Sequence, residues 1–287
     1  MIWNRPSDLK NCRTRCFYVS REQIHGNRVE VSGGELHHLR NVLRLCKGDE
    51  ITVLDGLGRI YEVILISCER DVAVGEIKSS WEVRPPLLEV TLFAGLPKAD
   101  KMDMIVQKAT ELGAHGIVPI LCRRTVPHLS AEQAQKRLDR WRQIAVEASK
   151  QSHRPFLPFV SHIVTLDEAL EESQADLKLF FVAPVSSATR CQCCKASNRL
   201  KDVLKKNARA KKVDIFIGPE GGFTEDEVCS SLSAGAMQVS LGDSVLRTET
   251  AAIAALAIVL YELYSLSDMP EDISDEYFVI PESKDRA

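Results

Sequence analysis

Two stretches of the chain combine residue types suited to holding a flat, charged small molecule. The first is Ile217-Gly218-Pro219-Glu220-Gly221-Gly222-Phe223-Thr224. Its three glycines permit a turn with positive φ and let a ligand approach bare backbone. Thr224 and Glu227 have the spacing of a capping box, so a helix starts directly after the loop. The stretch lacks the Gly-Lys-Ser/Thr end of a phosphate loop and is not a GxGxxG fingerprint; its bland reading is a tight turn. The second stretch is SLGDSVLRTET, Ser240 to Thr250. Thr248 reads as the N-cap of a helix, and Glu249 suits the positive end of its dipole. Arg247 does not, because a cation just before a helix N-terminus is electrostatically misplaced. It calls for an anionic partner, either Glu220 in a salt bridge between the two loops or a substrate that develops negative charge.

The remaining reactive side chains are less specific. Among 9 cysteines, Cys191 and Cys194 form a C-x-x-C with Cys193 between them, and Cys12 and Cys16 form a C-x-x-x-C. The halves lie far apart and no apolar knuckle flanks either, so free thiols are the better reading and no metal is expected. His37 and His38 are neighbours on an expected helix and point in different directions, one buried and one exposed.

The elements that must position the loops follow from periodicity. Strand patterns at Cys16 to Val19, Arg28 to Val31, Glu50 to Leu54, Ile60 to Ser67 and Val72 to Ile77 predict a small β-barrel. Asp55-Gly56-Leu57-Gly58 serves as a hairpin loop, and a helix is predicted over Glu35 to Leu45 with Leu36, Leu39, Val42 and Leu43 on one face. Pro85-Pro86 marks a linker. Beyond it strands alternate with helices, the grammar of a parallel α/β sheet. Strands are expected at Glu89 to Ala94, Gly116 to Leu121, Lys178 to Val182, Asp214 to Ile217 and Gln238 to Leu241. Helices are expected at Lys101 to Leu112, Ala131 to Gln151, Leu166 to Glu172, Leu200 to Ala208, Glu225 to Leu232 and Glu249 to Tyr264. The last is apolar on almost every face, which predicts burial in the core or in a subunit interface. Both loops follow strands and open helices, where open α/β sheets hold ligands.

Composition bounds the rest. With 287 residues, 45% hydrophobic and 27% charged, the chain is neither disordered, collagenous nor a disulfide miniprotein. The longest apolar run, Ala251 to Tyr261, is well short of the roughly 20 residues that cross a bilayer. No apolar signal core opens the chain, which predicts a cytoplasmic protein. Residues 1–86 carry 13 Lys+Arg and 12 Asp+Glu, residues 87–264 carry 22 and 21, and residues 265–287 carry 2 and 7. The acidity therefore sits in the last segment, read as a solvated tail. Any nucleic-acid binding must come from local basic clusters; Arg190 to Lys212 is one basic stretch, read at this level as solvated surface.

Five segments in order give the chain a family resemblance: His37 to Asp49 (HHLRNVLRLCKGD), Gly95 to Ile120, Arg140 to Arg154, Ile217 to Val228 and Leu241 to Ala251. The chain resembles the RsmE family of bacterial 16S ribosomal RNA uridine-N3 methyltransferases, of the SPOUT class. The resemblance implies an α/β protein with a PUA-like RNA-binding β-barrel over residues 13–84, a SPOUT α/β trefoil-knot methyltransferase domain over 87–266 and an acidic tail over 267–287. It implies S-adenosyl-L-methionine as methyl donor, 16S rRNA of the small ribosomal subunit as partner, and a homodimer. It places the cofactor against Val182, Ala183, Pro184, Gly218, Pro219, Glu220, Gly221, Gly222, Leu241, Gly242, Leu246, Arg247 and Thr248. RNA contact falls to Arg15, Arg40, Arg44, Arg124 and Arg154, the last expected to share a helix face with Glu147 and Gln151. Arg247 is the expected catalytic cation and Glu220 the candidate proton acceptor. Asp243-Ser244 departs from the family, many members having Pro and a basic residue there. The alternatives are a SPOUT enzyme acting on transfer RNA ribose and a non-catalytic RNA-binding member of the fold.

Overall fold

The computed structural model describes residues 15–127, 129–183, 198–266 and 277–278. It divides into two compact units: Met1–Pro85 with Ser149–Leu157 and Pro270–Ala287, and Pro86–Ala148 with Pro158–Met269.

In the first unit, β1 (Cys16–Tyr18), β2 (Ile24–His25), β3 (Arg28–Val31), β4 (Glu50–Leu54), β5 (Arg59–Cys68) and β6 (Ala73–Val83) form a sheet in the order β1-β4-β5-β6-β3-β2. Only β1 and β4 run parallel. Alternation drives the assembly: Val29, Val31, Ile51, Val53, Val63 and Leu65 turn inward onto Phe17 and Leu39, all but excluded from solvent. Bulges in the β5–β6 pairing, near Glu62 and Leu65, bend these two long strands. The β4–β5 loop is the expected hairpin, with Gly56 at φ 74° and Gly58 at φ 105°. Buried Asp55 holds it by accepting the Leu57 and Arg59 N–H groups at 2.8 and 2.9 Å. Tyr277–Phe278 pairs antiparallel with β6 at Val83 and Glu82, so these two residues of the expected solvated tail extend the sheet.

Three local expectations in this unit need correction. The helix predicted over Glu35 to Leu45 is α1 (Gly33–His37) followed by a π-helical turn, His38–Val42. The Leu43 N–H reaches back five residues to the His38 carbonyl; the extra residue rotates Val42 off the buried face and leaves it 60% exposed. Second, His153 at φ 53° ends the long helix of residues 131–152, so Arg154 stands beyond it and shares no helix face with Glu147 and Gln151. Third, Ser149–Leu157 belongs to the first unit. Backbone bonds tie Pro155 to Gly58 and Leu157 to Gly56, and the Tyr18 hydroxyl donates to the Arg154 carbonyl.

The second unit holds β7 (Glu89–Gly95), β8 (Gly116–Leu121), β9 (Phe159–Val160), β10 (Val164–Thr165), β11 (Leu177–Phe181), β12 (Asn198–Arg199), β13 (Lys212–Ile217) and β14 (Met237–Ser240). All pairings are parallel, in the order β10-β8-β7-β13-β11-β14-β12, with β9 beside β8. Its helices are α2 (Lys101–Leu112), α3 (Ala131–Ser152), α4 (Leu166–Glu172), α5 (Leu200–Lys206), α6 (Glu225–Ser233) and α7 (Thr248–Leu266). The central strands are apolar on both faces, as a covered parallel sheet requires. Leu92, Leu179 and Ile215 join one core with residues of α2 and α7. Phe93, Phe180 and Phe216 join the other with residues of α4 and α6. Trp141 of α3 is fully buried and donates its indole N–H to Asp103 at 3.1 Å. In α7, Ala252, Ala255, Leu256, Val259 and Leu263 are buried, whereas Ile258 and Tyr261 are 40% and 73% exposed; one face, not the whole helix, enters the core of this unit.

Asp214 is the polar exception in β13. It is buried, accepts the Ser173 hydroxyl at 2.6 Å, and burial pushes its carboxyl above the ordinary range against the opposing effects of Ser173 and Lys178. A carboxyl whose folded pKa is raised opposes folding once ionised, and stops doing so as pH falls through that value. Asp214→Asn should therefore raise the melting temperature at pH 8, with the gain shrinking as pH falls into the acidic range, as measured by calorimetry.

Candidate active site

Because β11, β13 and β14 are adjacent and parallel, their C-terminal ends form one edge. Phe181 pairs with Ile217 on one side and Val239 on the other, and the Val182 N–H donates to the Val239 carbonyl. The segments beginning at Val182, Gly218 and Leu241 thus leave side by side, about 5 Å per strand apart. This edge gathers Val182, Ala183, Gly218 to Gly222, Leu241, Gly242 and Leu246 to Thr248; Pro184 and the cysteines Cys12, Cys191, Cys193 and Cys194 lie outside the described residues.

The first loop is rigid. Thr224 caps α6 as expected, accepting from Glu227 N–H, while the Glu227 carboxylate takes the Thr224 N–H at 2.7 Å and the Arg123 N–H at 2.7 Å. The Phe223 ring lies 4.1 Å, centroid to centroid, from Phe180. The Arg124 guanidinium donates to the Gly221 carbonyl at 3.0 Å. Beneath the loop, Gly95 leaves no space for a side chain: a Cβ there would stand 2.4 Å from Pro219 N and 2.8 Å from Gly218 C. Gly222 and Gly242 are the opposite case, at φ 66° and 122° with nothing within 4 Å of an added Cβ. They present bare backbone to open space.

The charged groups form a different network from the one expected. Glu220 does not pair with Arg247. Lys101, in the first turn of α2, reaches it at 2.8 Å, and the Lys98 N–H donates to the same oxygen at 3.1 Å. Lys101 Nζ also stands 3.8 Å from Glu249, whose Oε2 is shielded from solvent and accepts no hydrogen bond. One ammonium therefore spans the first loop and the start of α7. Burial pushes the Glu220 carboxyl upward, but the Lys101 ammonium and the Lys98 N–H outweigh it and hold the group below the usual carboxylate range. The hydrogen bond to Glu220 raises Lys101 above the usual lysine range, Glu249 adds to this, and the nearby Arg247 charge subtracts. α7 begins at Thr248 and the Arg247 carbonyl accepts from Ala251 N–H, so Arg247, not Thr248, occupies the cap position. The Arg247 side chain is exposed and has no carboxylate at ion-pair distance among the described residues. Lys101 was missed by motif reading because nothing local marks it.

The other expected RNA-contact residues lie in the first unit. Arg15 pairs with Asp49 at 3.1 Å, and Asp49 also accepts the Cys46 N–H, two residues beyond exposed Arg44. Arg40 donates to the Arg70 carbonyl at 3.0 Å. Arg154 is half-buried. His37 is exposed, as expected, and His38 is half-buried against Phe17 where full burial was expected of one imidazole. Burial pushes the Cys122 thiol well up, which keeps it protonated and inert. No group of metal-binding side chains occurs among the described residues.

A family model described as an RNA methyltransferase domain matches residues 84–260, and one described as an RNA methyltransferase PUA domain matches residues 31–77. The ribosomal RNA small subunit methyltransferase E of Bacillus subtilis (strain 168) is 34% identical over 233 residues, 81% of this chain and 89% of the relative. That of Synechocystis is 34% identical over 242 residues, 83% and 75% of the two chains. Among solved structures, a ribosomal RNA small subunit methyltransferase E from Neisseria gonorrhoeae bound to S-adenosyl methionine aligns with TM-score 0.72 at 32% identity, covering 86% of this chain and 97% of that one. A Legionella pneumophila protein in complex with the bound cofactor SAM aligns with TM-score 0.75 at 29% identity over 86% and 96%. Fold and site together define an RNA methyltransferase: a PUA-like unit joined to a SPOUT-type α/β unit. Within that class, the chain belongs to the ribosomal RNA small subunit methyltransferase E family.

Two measurements probe the site's construction. Gly95→Ala should cost about 1–3 kcal/mol in denaturant unfolding, because the clash is with backbone that cannot rotate away, whereas Gly222→Ala should cost only about 1 kcal/mol of left-handed strain. Lys101→Met should move the Glu220 titration, followed by NMR, up toward the ordinary glutamate range. The contribution of Glu220 to stability is present above its unfolded pKa and is lost as pH falls through the depressed folded value, so the variant should lose its advantage over acid at a higher pH than the wild type.

Proposed function

We propose that the chain is an S-adenosylmethionine-dependent methyltransferase acting on N3 of a uridine in 16S rRNA of the small ribosomal subunit, working as a cytoplasmic homodimer with a trefoil knot in its α/β unit. The observation that carries the reading is the edge of β11, β13 and β14, where Gly222 and Gly242 offer bare backbone beside an exposed arginine. The names of the relatives supply the substrate class, small-subunit ribosomal RNA, and two structural neighbours carry the cofactor. No helix among the described residues is long and apolar enough to cross a membrane. Exposed Ile258 and Tyr261 on α7 are the surface we assign to the second subunit.

The residues fit the cofactor. Val182, Ala183, Gly218 to Gly222, Leu241, Gly242 and Leu246 to Thr248 would hold it, and when bound it supplies an electrophilic sulfonium methyl. The work of the chain lies with the other reactant. A uridine N3 is a neutral imide; it becomes nucleophilic as its proton leaves for water, and the negative charge spreads over O2 and O4. The Arg247 guanidinium, exposed and unclaimed by a carboxylate, stabilises that charge. Glu220 was the candidate proton acceptor, but a carboxyl held ionised by Lys101 is a weak base at neutral pH. Its part in this reading is to fix the first loop against α2. Arg15, Arg40, Arg44, Arg124 and Arg154 contact RNA, which must present the base splayed from its helix.

Arg247→Ala should lower single-turnover methylation of small-subunit rRNA by about 10² to 10³-fold, by analogy with loss of one oxyanion donor, with little change in S-adenosylmethionine affinity. Arg247→Lys should recover little, because an ammonium cannot match the planar fork. Equal loss of cofactor affinity and activity in both variants would make the arginine structural. Mass spectrometry of nucleosides from the reacted RNA reads the position of the methyl group; a ribose methyl would favour the transfer-RNA type of SPOUT enzyme.

A further inference from the structure

The strongest unexplained feature of the second unit is a basic surface away from the catalytic edge. Between Arg199 and Lys212 the chain places 7 cations and one carboxylate, Asp202, whereas the rest of residues 87–264 carries 15 cations and 20 carboxylates. Lys201, Lys205, Lys206, Arg209, Lys211 and Lys212 are all exposed. Only Lys212 has a carboxylate at ion-pair distance among the described residues, Glu89 at 3.8 Å. Asp176 lies beside the cluster; its carboxylate accepts the Lys211 and Lys212 N–H groups, both at 2.9 Å, which fixes the turn into β13, and the two ammonium groups help these bonds hold the carboxyl below the usual carboxylate range. The last turn of α5 and this turn border an open hollow of about 560 Å³ lined by Lys205, Lys206, Asn207, Arg209 and Lys211, with Asp176 as its one carboxylate.

A helix dipole accounts for Lys205 and Lys206 at the end of α5. It does not account for Arg209, Lys211 and Lys212, which lie beyond the helix and repel the first two. Glu89 and Asp176 offset only part of this charge, and the like charge left over costs folding energy unless a polyanion neutralises it. Lys212 opens β13 and Gly218 follows its end, so the basic surface and the catalytic loops lie at opposite ends of one strand, about 20 Å apart. The surface is too far from the loops to touch the reacting base and too open to enclose a small anion.

We infer that the surface formed by the end of α5 and the start of β13 is a second contact site for the phosphate backbone of the substrate RNA, separate from the catalytic edge and from the arginines of the first unit. The inference rests on the RNA-methyltransferase reading above. It supplies affinity and register, and no chemistry.

The test compares wild type with Lys205→Gln/Lys206→Gln/Arg209→Gln in the full chain, on small-subunit rRNA. If the site exists, the variant should show a KM for RNA raised about tenfold, unchanged kcat and S-adenosylmethionine affinity, and a log–log salt dependence of RNA binding shallower by about two, since each lost contact to single-stranded phosphate removes about 0.7 of slope. Unchanged KM and slope would overturn it, as would loss of affinity with no change in slope. The reversal variant Lys211→Glu/Lys212→Glu, outside any helix, should give the same pattern and guards against a melted α5. If wild type itself leaves the RNA unmethylated, the functional reading fails; if wild type methylates and the variants match it, only this inference fails.

Discussion

The second unit depends on the parallel pairing of β13 between β7 and β11. Six register pairs run from Lys212–Glu89 to Ile217–Ala94, and their end point presses Gly95 against the Gly218–Pro219 peptide with no room for a Cβ. That contact fixes where the first loop begins. Phe223 locks its far end onto Phe180, and Glu227 joins it to the Arg123 backbone. What remains open between these anchors is Gly222, where an added Cβ would meet nothing within 4 Å. Rigidity around a bare turn is what a cofactor site needs, because groups already held in place lose little entropy when the ligand arrives.

The same geometry divides the charged groups into two kinds. Lys101 stands between Glu220 and Glu249, at 2.8 and 3.8 Å, so one ammonium shared by two carboxylates joins the loop to α7. Arg247 carries an uncompensated charge at the mouth of the same edge. A guanidinium paired with Glu220 would already have its field cancelled and could add little to a transition state; Lys101 occupies that carboxylate and leaves the arginine available. On the mechanism proposed above, the lysine thus leaves the arginine free of that carboxylate without touching it.

Much of this was legible in the sequence, and the parts that were not have physical reasons. α2 and β8 match their expected bounds because Gly113, at φ 112°, stops the helix and a run of apolar residues defines the strand. Thr224 and Glu227 announced α6 because a capping box is a local signal. The turn after α1 failed because a π-turn breaks the 3.6-residue period on which the expected face rested. That residues 149–157 pack into the first compact unit was not legible because their partners, Gly56 and Gly58, lie about a hundred residues earlier. The Lys101–Glu220 pair spans 119 residues, and no spacing rule reaches that far. The five segments with family likeness carried the fold and the candidate loops, whereas the wiring between those loops came only from coordinates.

Charge balance finally sets how such a protein can find its RNA. Residues 1–86 and 87–264 each differ by a single charge between bases and acids, and residues 265–287 carry five more acids than bases, so there is no overall basic field to steer an encounter with RNA. Fields from local clusters decay within about 8 Å at physiological ionic strength, so each basic patch acts only on the phosphates it nearly touches. On the proposed function, affinity then comes from several separate patches engaged together. Linked contacts of this kind raise affinity through effective concentration and are lost when the geometry cannot be met at once. On the proposed function, two nearly neutral units with scattered basic patches would bind weakly to arbitrary RNA and more tightly to one folded shape that reaches all of them, which is the discrimination that methylation of one uridine requires.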